Sequence, residues 1–475
     1  MNCSFLKERD MLFSSITFLY YFLPIVLGIY FLSPKRMKNF VLLISGLVFY
    51  AWGEPKYVVL MIISVISGYV FGILIEKYRE TKRARIFLTL SVVISLSFLL
   101  YFKYADFFIS NFNNAFGMSI PLLRIALPIG ISFYTFQIIS YTVDVYRGEK
   151  AQRSLINLGA YISMFPQLIA GPIVRYSDIA FQLENRNHSI SMAAEGVRRF
   201  TIGLAKKILL ANQLGEITNI FRNSGEQSVL FYWLYAIAFA LHIYFDFSGY
   251  SDMAIGLGKI MGFSFLENFN YPFISKNVTE FWRRWHMSLG SWFRDYVYIP
   301  LGGNKKGTKR HLFNIFAVWM LTGFWHGADW NFIIWGLFFA VLLIAEKLWL
   351  LEKLKNHNII SRIYIVIVSL ISFVIFNASG LKGAVSDLGG LIGMGGIPLV
   401  SDEFIYTLRS FGGVLIISFI GATPVVKNFF LKLQSNPKTE RILNVLEPMA
   451  IIVLLFVMTA YLVDGSFNPF LYFRF

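Results

Sequence analysis

Residues 312–345 read LFNIFAVWMLTGFWHGADWNFIIWGLFFAVLLIA. Two apolar runs in this stretch, 312–321 and 332–345, predict a pair of membrane helices joined by a short polar segment that contains His326. An ionisable imidazole at membrane depth is costly, and its presence there indicates a functional role. A second histidine, His286, lies 40 residues earlier in an aromatic and basic segment. Two such histidines favour chemistry inside the bilayer, with a histidine bonded only to a backbone carbonyl as the alternative.

The same apolar character extends over the whole chain. The protein has 475 residues, of which 56% are hydrophobic and 15% charged, whereas soluble proteins carry about 25% charged residues. The apolar runs predict an all-α polytopic membrane protein with about a dozen spans of about 20 residues each. We place these spans near residues 12–32, 38–52, 57–75, 86–108, 125–146, 155–175, 228–258, 312–326, 330–351, 362–378, 405–421 and 447–463.

The net charge of +16 is distributed as expected for a membrane protein. Basic residues concentrate in alternate short loops, such as Lys35, Arg36 and Lys38 after the first span, as the positive-inside rule requires. We therefore expect a multi-pass protein of the plasma or inner membrane, in contact with membrane lipids, with both termini outside. There is no soluble basic domain, so we expect no nucleic-acid partner. Residues 1–10 form a predicted polar extension, and residues 11–475 a single membrane domain.

Cysteine chemistry is limited by composition. Cys3 is the only cysteine, so neither an internal disulfide nor a cysteine-based metal site is possible. We expect no metal ion and no bound cofactor.

The segment from about residue 265 to 310 alternates aromatic and basic residues without a clean apolar span. Such a segment is tolerated at membrane depth only where protein or water surrounds it, so we predict re-entrant or interfacial segments. If Arg310 marks the cytoplasmic boundary, His326 lies 16 residues further on, about 24 Å into a core roughly 30 Å thick. His286 approaches from the cytoplasmic side. Gly323 and Gly327, which flank His326, are predicted to allow the close approach of a ligand.

Several motifs around the two histidines resemble those of one enzyme family. They are FWRRWHMS at 281–288 and FWHG at 324–327, joined by FRDYVYIPLGG at 293–303. In these motifs the sequence resembles the membrane-bound O-acyltransferase family, and more specifically its alginate O-acetyltransferase-like branch. Four further segments carry the same resemblance, namely those at 49–55, 167–175, 244–252 and 470–475. Any one of these motifs is weak evidence, whereas the combination is specific.

The resemblance implies a fold, an activity and a partner. The implied fold is a ring of tilted helices with re-entrant segments around a thinned central catalytic tunnel. The implied activity is membrane O-acyl transfer, in which acetyl from a cytoplasmic donor, acetyl-CoA as co-substrate, crosses the membrane to O-acetylate an exported or cell-surface polysaccharide. His326 matches the catalytic histidine of the family and His286 its usual partner. An exported acetyltransferase of the SGNH type is expected to complete the transfer, in exopolysaccharide biosynthesis.

The residue types are suited to this chemistry. A neutral imidazole at His326 can take the proton of an acceptor hydroxyl, while His286 orients the acceptor or stabilises the oxyanion. Four basic residues are candidates for the donor phosphates, with plain positive-inside charge as the alternative: Arg283, Arg284, Lys305 and Lys306. The candidates for the tunnel lining are Trp282, Trp285, Ser288, Trp325 and Asp246. Asp246 is expected either to bond a histidine or, more simply, to support a helix bend.

The terminal sequence FLYFRF at 470–475 adds a sharper hypothesis. It resembles a terminal aromatic motif in which the tyrosine is proposed to carry the acyl group. Tyr472 is therefore a candidate acyl carrier, since a phenolate with a pKa of about 10 is a good leaving group. The alternative is an aromatic anchor at the membrane interface.

Two other functions stay open at this point. One is transfer of D-alanine from a carrier protein to teichoic acid. The other is a non-enzymatic transporter in which the histidines relay protons, although we find no inverted repeat of the kind common in that class.

Overall fold

The computed structural model describes residues 13–169, 171–464 and 471. All regular structure in these residues is helical, as predicted. The α-helices are α1 (Leu23–Leu32), α2 (Lys38–Gly53), α3 (Val58–Lys77), α4 (Lys82–Phe116), α5 (Ile131–Arg147), α6 (Leu155–Ser163), α7 (Phe165–Leu168), α8 (Tyr176–Glu184), α9 (Ile190–Ala205), α10 (Asn212–Asn223), α11 (Val229–Ile260), α12 (Val278–Trp282), α13 (Met287–Phe293), α14 (Thr308–His326), α15 (Trp330–Ala345), α16 (Leu351–Lys355), α17 (Asn358–Asn377), α18 (Gly380–Leu391), α19 (Asp402–Gly421), α20 (Val425–Gln434) and α21 (Pro437–Val463).

Short 3₁₀ and π-helical turns extend or join several of these helices. The two 3₁₀ turns are Lys35–Met37 and Pro272–Ile274. The π-helical turns are Thr17–Phe22, Lys206–Ala211, Arg294–Tyr298 and Glu346–Leu350. Most π-type turns are short insertions in α-helices and often occur at functional sites.

Seven helices are long and apolar enough to cross a membrane, namely Val58–Lys77, Lys82–Phe116, Val229–Ile260, Trp330–Lys355, Asn358–Asn377, Asp402–Gly421 and Pro437–Val463. Each lies on a predicted span, so the multi-pass helical class is confirmed. A shorter apolar helical segment, Thr17–Leu32, lies on the first predicted span. The total of about a dozen spans and the ring arrangement stay predictions.

One predicted span is wrong as a continuous helix. Residues 155–175 form α6 and the single turn α7, separated at Met164, whose backbone has a non-helical ψ of 109°. Pro166 follows two residues later and lacks the N–H that a continuing helix would need. The apolar composition of this segment therefore reflects burial in protein: Met164, Phe165 and Leu168 are fully buried.

The chain divides into two compact units. The first comprises residues 1–200 and 250–266, and the second residues 201–249 and 267–475. In the first unit α3 packs on α4 and α5, and α2 on α6. The single membrane domain expected for 11–475 stays a prediction.

In the second unit α14 and α15 form a closely packed helical hairpin. A Cβ atom on Gly323 would lie 2.4 Å from the carbonyl oxygen of Phe332, and one on Gly336 would lie 2.4 Å from that of Trp319. A Cβ atom on Gly327 would lie 2.2 Å from the Phe332 ring. The expectation that Gly323 and Gly327 make room for a ligand is therefore wrong: they make room for the neighbouring helix.

The aromatic and basic segment 265–310 contains only short helices. Both α12, with 5 residues, and α13, with 7 residues, are too short to span a bilayer, which needs about 20 residues. The short helices agree with the absence of an apolar span from the sequence of this segment. That the segment enters the membrane and returns to the same side stays a prediction. The predicted polar extension 1–10 and Tyr472 lie outside the described residues.

Candidate active site

His326 is the last residue of α14 and is half-buried among aromatic rings. The centroid of its imidazole lies 5.0 Å from that of Trp325, 5.0 Å from that of Trp335 and 5.3 Å from that of Phe376. The three rings meet the imidazole nearly at right angles. The imidazole is therefore partly shielded from water by aromatic rings.

His286 is held in one orientation by the segment opposite it. Its backbone adopts a left-handed conformation with φ of 45°, and 2% of the residue is exposed. The backbone N–H of Met287 donates to the carbonyl oxygen of Asn268 over 2.9 Å, which fixes the two segments side by side. A non-glycine residue with positive φ stores strain and is common at functional sites.

Asn268 determines which imidazole nitrogen of His286 carries the proton. Its Oδ1 atom lies 3.1 Å from Nδ1 of His286 and also accepts from the backbone N–H and the hydroxyl of Ser288, over 3.2 and 2.9 Å. Because a backbone N–H can only donate, this atom is the amide oxygen. Nδ1 of His286 therefore donates, and Nε2 carries the lone pair.

The Nε2 atom of His286 is buried and has no hydrogen-bond partner among the residues described. Complete burial lowers the pKa of His286 to about 3, so the ring is neutral at every physiological pH. A buried polar atom without a partner is costly in a finished site and indicates that a ligand group bonds it.

Trp325 connects the two histidines. Its ring centroid lies 6.4 Å from that of His286 and 5.0 Å from that of His326. The predicted pair is thus brought together in one unit around a single buried indole.

Two further indoles carry N–H donors on this side of the site: Trp335, which contacts His326, and Trp282, which contacts Trp335. The Nε1 atoms of Trp282 and Trp335 are buried and without a hydrogen-bond partner in the described part of the chain. The two rings contact each other, with centroids 5.6 Å apart. Unpaired N–H groups beside a histidine can donate to a carbonyl oxygen and to the charge that develops on it. Trp335 was not predicted as a site residue. In the sequence, a tryptophan inside an apolar run cannot be told from one that only packs in the core.

Glu346 fixes the helix that carries Trp282. Its carboxylate is 1% exposed and accepts from the backbone N–H groups of Val278 and Thr279, over 2.6 and 3.0 Å, at the start of α12. The hydroxyl of Thr279 donates to it as well, over 2.8 Å. A carboxylate at a helix N-terminus satisfies N–H groups that have no partner within the helix and matches the helix dipole.

Of the other predicted lining residues, Trp285 and Ser288 lie beside His286, whereas Asp246 is bonded elsewhere. Trp285 is buried and its ring stacks on that of Phe281, 5.6 Å away. Asp246 accepts from Nζ of Lys207 over 2.6 Å and from the backbone N–H of Leu471 over 2.7 Å. The expectation that Asp246 bonds a histidine is therefore wrong, because a buried lysine offers the carboxylate full charge compensation.

The four candidate phosphate-binding residues differ in their availability. Arg283, Lys305 and Lys306 are exposed. Arg284 forms an ion pair with Glu280, one helical turn earlier, over 2.9 Å. Arg284 is thus already compensated, while the other three offer open positive charge.

We predict that Asn268→Ala lowers the rate of the acyl transfer expected from the motifs by about 10-fold to 100-fold, because His286 and Ser288 lose their common acceptor, worth about 1–3 kcal/mol. The measurement is the rate per folded molecule, with thermal unfolding recorded alongside. The matched control is Asn39→Ala, which removes another buried amide, bonded to Asn157 and to the carbonyl of Leu183 over 2.8 Å each. Equal losses of rate in both variants would contradict a positioning role for Asn268.

These features define the class of protein: a multi-pass helical membrane protein with a buried, histidine-centred site. The sequence model of the membrane-bound O-acyltransferase family matches residues 57–380. The chain belongs to this family, and it is an O-acyltransferase. The family resemblance predicted from the motifs, including the alginate O-acetyltransferase-like branch, is confirmed.

Similar proteins match the chain over most of its length. It is 39% identical to the "Probable alginate O-acetylase AlgI" of Pseudomonas putida, over 98% of this chain and 100% of that protein. It is 44% identical to the protein of the same name from Pseudomonas aeruginosa, over 79% of this chain and 73% of that protein. It is 29% identical to the "Peptidoglycan O-acetyltransferase" of Helicobacter pylori, over 99% of both.

Proposed function

We propose that this protein is a membrane O-acetyltransferase that takes acetyl from cytoplasmic acetyl-CoA and passes it across the membrane for O-acetylation of an exported or cell-surface polysaccharide. The observation that carries the proposal is the aromatic enclosure of His326 beside His286, whose Nε2 is buried without a partner among the described residues. The similarity to an alginate O-acetylase and a peptidoglycan O-acetyltransferase over nearly the full length supports acetyl as the group and a glycan as the acceptor.

In the proposed reaction His326 acts as the general base. Its imidazole takes the proton of an acceptor hydroxyl as that oxygen attacks the thioester carbonyl. The new C–O bond forms, the C–S bond breaks, and the thiolate of CoA leaves with the proton from the imidazolium. The buried indole N–H groups of Trp282 and Trp335 are suited to stabilise the oxyanion of the tetrahedral intermediate.

His286 serves this step as a neutral group. Its Nε2 lone pair can accept from an N–H group of the donor or from a second hydroxyl of the acceptor and so orient that substrate, since Nδ1 already donates to Asn268. The reacting hydroxyl donates to His326. The aromatic rings around both histidines exclude water and so limit hydrolysis of the thioester.

The donor phosphates are proposed to bind at Arg283, Lys305 and Lys306. These exposed cations have the charge that a polyanionic donor requires. Arg284 contributes less directly, because Glu280 already compensates its charge.

Tyr472 is proposed to accept the acetyl group before it reaches an exported SGNH-type partner enzyme. The residue next to it, Leu471, is buried and donates its backbone N–H to Asp246. This contact ties the residue beside Tyr472 to α11 and supports the proposed role of Tyr472. The proposal includes the predicted topology, with both termini outside.

We expect the purified protein in detergent to release CoA from labelled acetyl-CoA and to transfer the label to itself or to an added glycan. A D-alanyl carrier-protein thioester is the comparison donor and is expected to be inert. Reaction with the D-alanyl donor alone would contradict the acetyl assignment. Accumulation of labelled acetyl-CoA in proteoliposomes with neither CoA release nor label transfer would favour a transporter.

A further inference from the structure

Three basic side chains converge on Tyr30 at the end of α1. Nζ of Lys38 donates to the carbonyl oxygen of Tyr30 over 2.7 Å and lies 4.2 Å from the centroid of its ring. Nε2 of His188 lies 3.0 Å from the phenol oxygen. Cζ of Arg186 lies 6.0 Å from the Tyr30 ring and 4.5 Å from that of Phe263. These residues come from three separate parts of the first unit and form a basic cluster (Lys38, Arg186 and His188).

The hydrogen bonds of Tyr30 determine which nitrogen of His188 carries the proton, and the positive charge of the cluster comes from Lys38 and Arg186. The Tyr30 hydroxyl donates to the carbonyl oxygen of Met261 over 2.7 Å, so Nε2 of His188 must donate to the phenol oxygen. His188 lies in the loop before α9, where burial and then the charges of Lys38 and Arg186 lower its pKa. Without an anion the imidazole is thus neutral, and the two cations beside it repel each other. A bound phosphate favours the protonated imidazole, whose Nδ1 can then donate to it.

Arg186 is the least compensated member. Its Nε and Nη1 atoms are buried, and they have no hydrogen-bond partner among the residues that the structure describes. Within those residues no carboxylate lies within salt-bridge distance of Lys38, Arg186 or His188. A guanidinium whose N–H groups are buried without an acceptor is costly, and a bidentate anion such as phosphate relieves that cost.

The surface next to the cluster is apolar and exposed. Leu32 is 89% exposed, Ile29 51% and Phe31 48%, all in the last turn of α1. Nζ of Lys38 lies 5.3 Å from the ring of Phe31, which joins the apolar surface to the basic cluster. A basic pocket at the edge of an apolar membrane helix matches a molecule with a phosphate head and acyl chains.

We propose that Lys38, Arg186 and His188 bind the phosphate of an anionic membrane phospholipid, whose acyl chains lie along the exposed face of α1. The phosphates of CoA share the same chemistry, but the adjoining apolar surface favours the lipid. The site does not depend on the proposed acetyl transfer, because all of its residues lie in the first unit and the two histidines of the active site lie in the second.

The test is native mass spectrometry of the full-length protein in detergent, titrated with phosphatidylglycerol and, separately, with phosphatidylcholine. We expect wild type to bind phosphatidylglycerol at least about tenfold more tightly than phosphatidylcholine, and Arg186→Gln to lose about tenfold, as for one charge-assisted hydrogen bond. The matched control is Arg85→Gln, an exposed arginine in the first turn of α4, which is expected to bind as wild type.

His188→Gln is the second variant. The His188 side chain is exposed, so its replacement disturbs folding less than replacement of the half-buried Arg186. It is expected to weaken phosphatidylglycerol binding in the same direction. Equal binding by wild type, Arg186→Gln and His188→Gln would overturn the proposal. CoA binding that is lost in Arg186→Gln, with phosphatidylglycerol binding unchanged, would also overturn it and assign the cluster to the donor.

Discussion

His326→Ala is expected to reduce CoA release from acetyl-CoA by about 10²-fold to 10⁴-fold, the range that a general base contributes. The imidazole lies among the rings of Trp325, Trp335 and Phe376, none of which can take a proton at neutral pH. Its loss leaves the acceptor hydroxyl without the proposed base. The rate is measured on the purified protein in detergent, normalised to folded protein.

The control for this variant is His357→Ala, which removes an exposed histidine at the start of α17. It is expected to keep the wild-type rate. A His326→Ala protein that released CoA at the rate of His357→Ala would remove His326 from the chemistry.

The pH dependence of the rate separates the two histidines. Because burial lowers the pKa of His286 to about 3, this residue stays neutral above that pH and cannot cause a loss of rate between pH 5 and 8. A loss of rate on acidification in that range would therefore report another group. If that group is His326, the residual activity of His326→Ala would show no such loss.

The sequence was sufficient to predict the helical membrane class and to single out two histidines that the structure brings to one indole. Apolar runs such as 228–258 and 405–421 correspond closely to α11 and α19, because lipid-facing and core-facing side chains are both apolar. It was not sufficient where an apolar segment is buried in protein, as at 155–175, because composition does not reveal a break at Met164.

The partners of the histidines were beyond the reach of the sequence. Asn268 lies 18 residues before His286, and only the pairing of the two segments brings its amide to the imidazole. The partners of Asp246 were hidden for the same reason: Lys207 lies 39 residues away, and Leu471 lies 225 residues away. Long-range polar pairs leave no local pattern, whereas a helix leaves a periodic one.

Tyr472→Phe is expected to reduce acetate on the extracellular polysaccharide to the background seen with His326→Ala. The change keeps the aromatic ring and removes only the hydroxyl that would carry the acetyl group as a phenyl ester. The measurement is ester-linked acetate on isolated polysaccharide, together with labelled acetyl on the protein itself. The control is Tyr461→Phe, which changes a half-exposed tyrosine of α21. If Tyr472 were only an aromatic anchor at the membrane interface, both substitutions would leave the acetate unchanged.

The hydrogen bond between the Leu471 N–H and Asp246 allows a second test of this prediction. The double variant Lys207→Met with Asp246→Leu replaces a buried ion pair by apolar side chains, which preserves a core better than breaking one partner alone. It removes the acceptor of the Leu471 N–H, so we expect less labelled acetyl on the protein although Tyr472 is intact. Normal acetate in Tyr472→Phe would rule out the carrier role. Loss in Tyr472→Phe with full labelling in the double variant would retain the carrier and show that Asp246 does not position it.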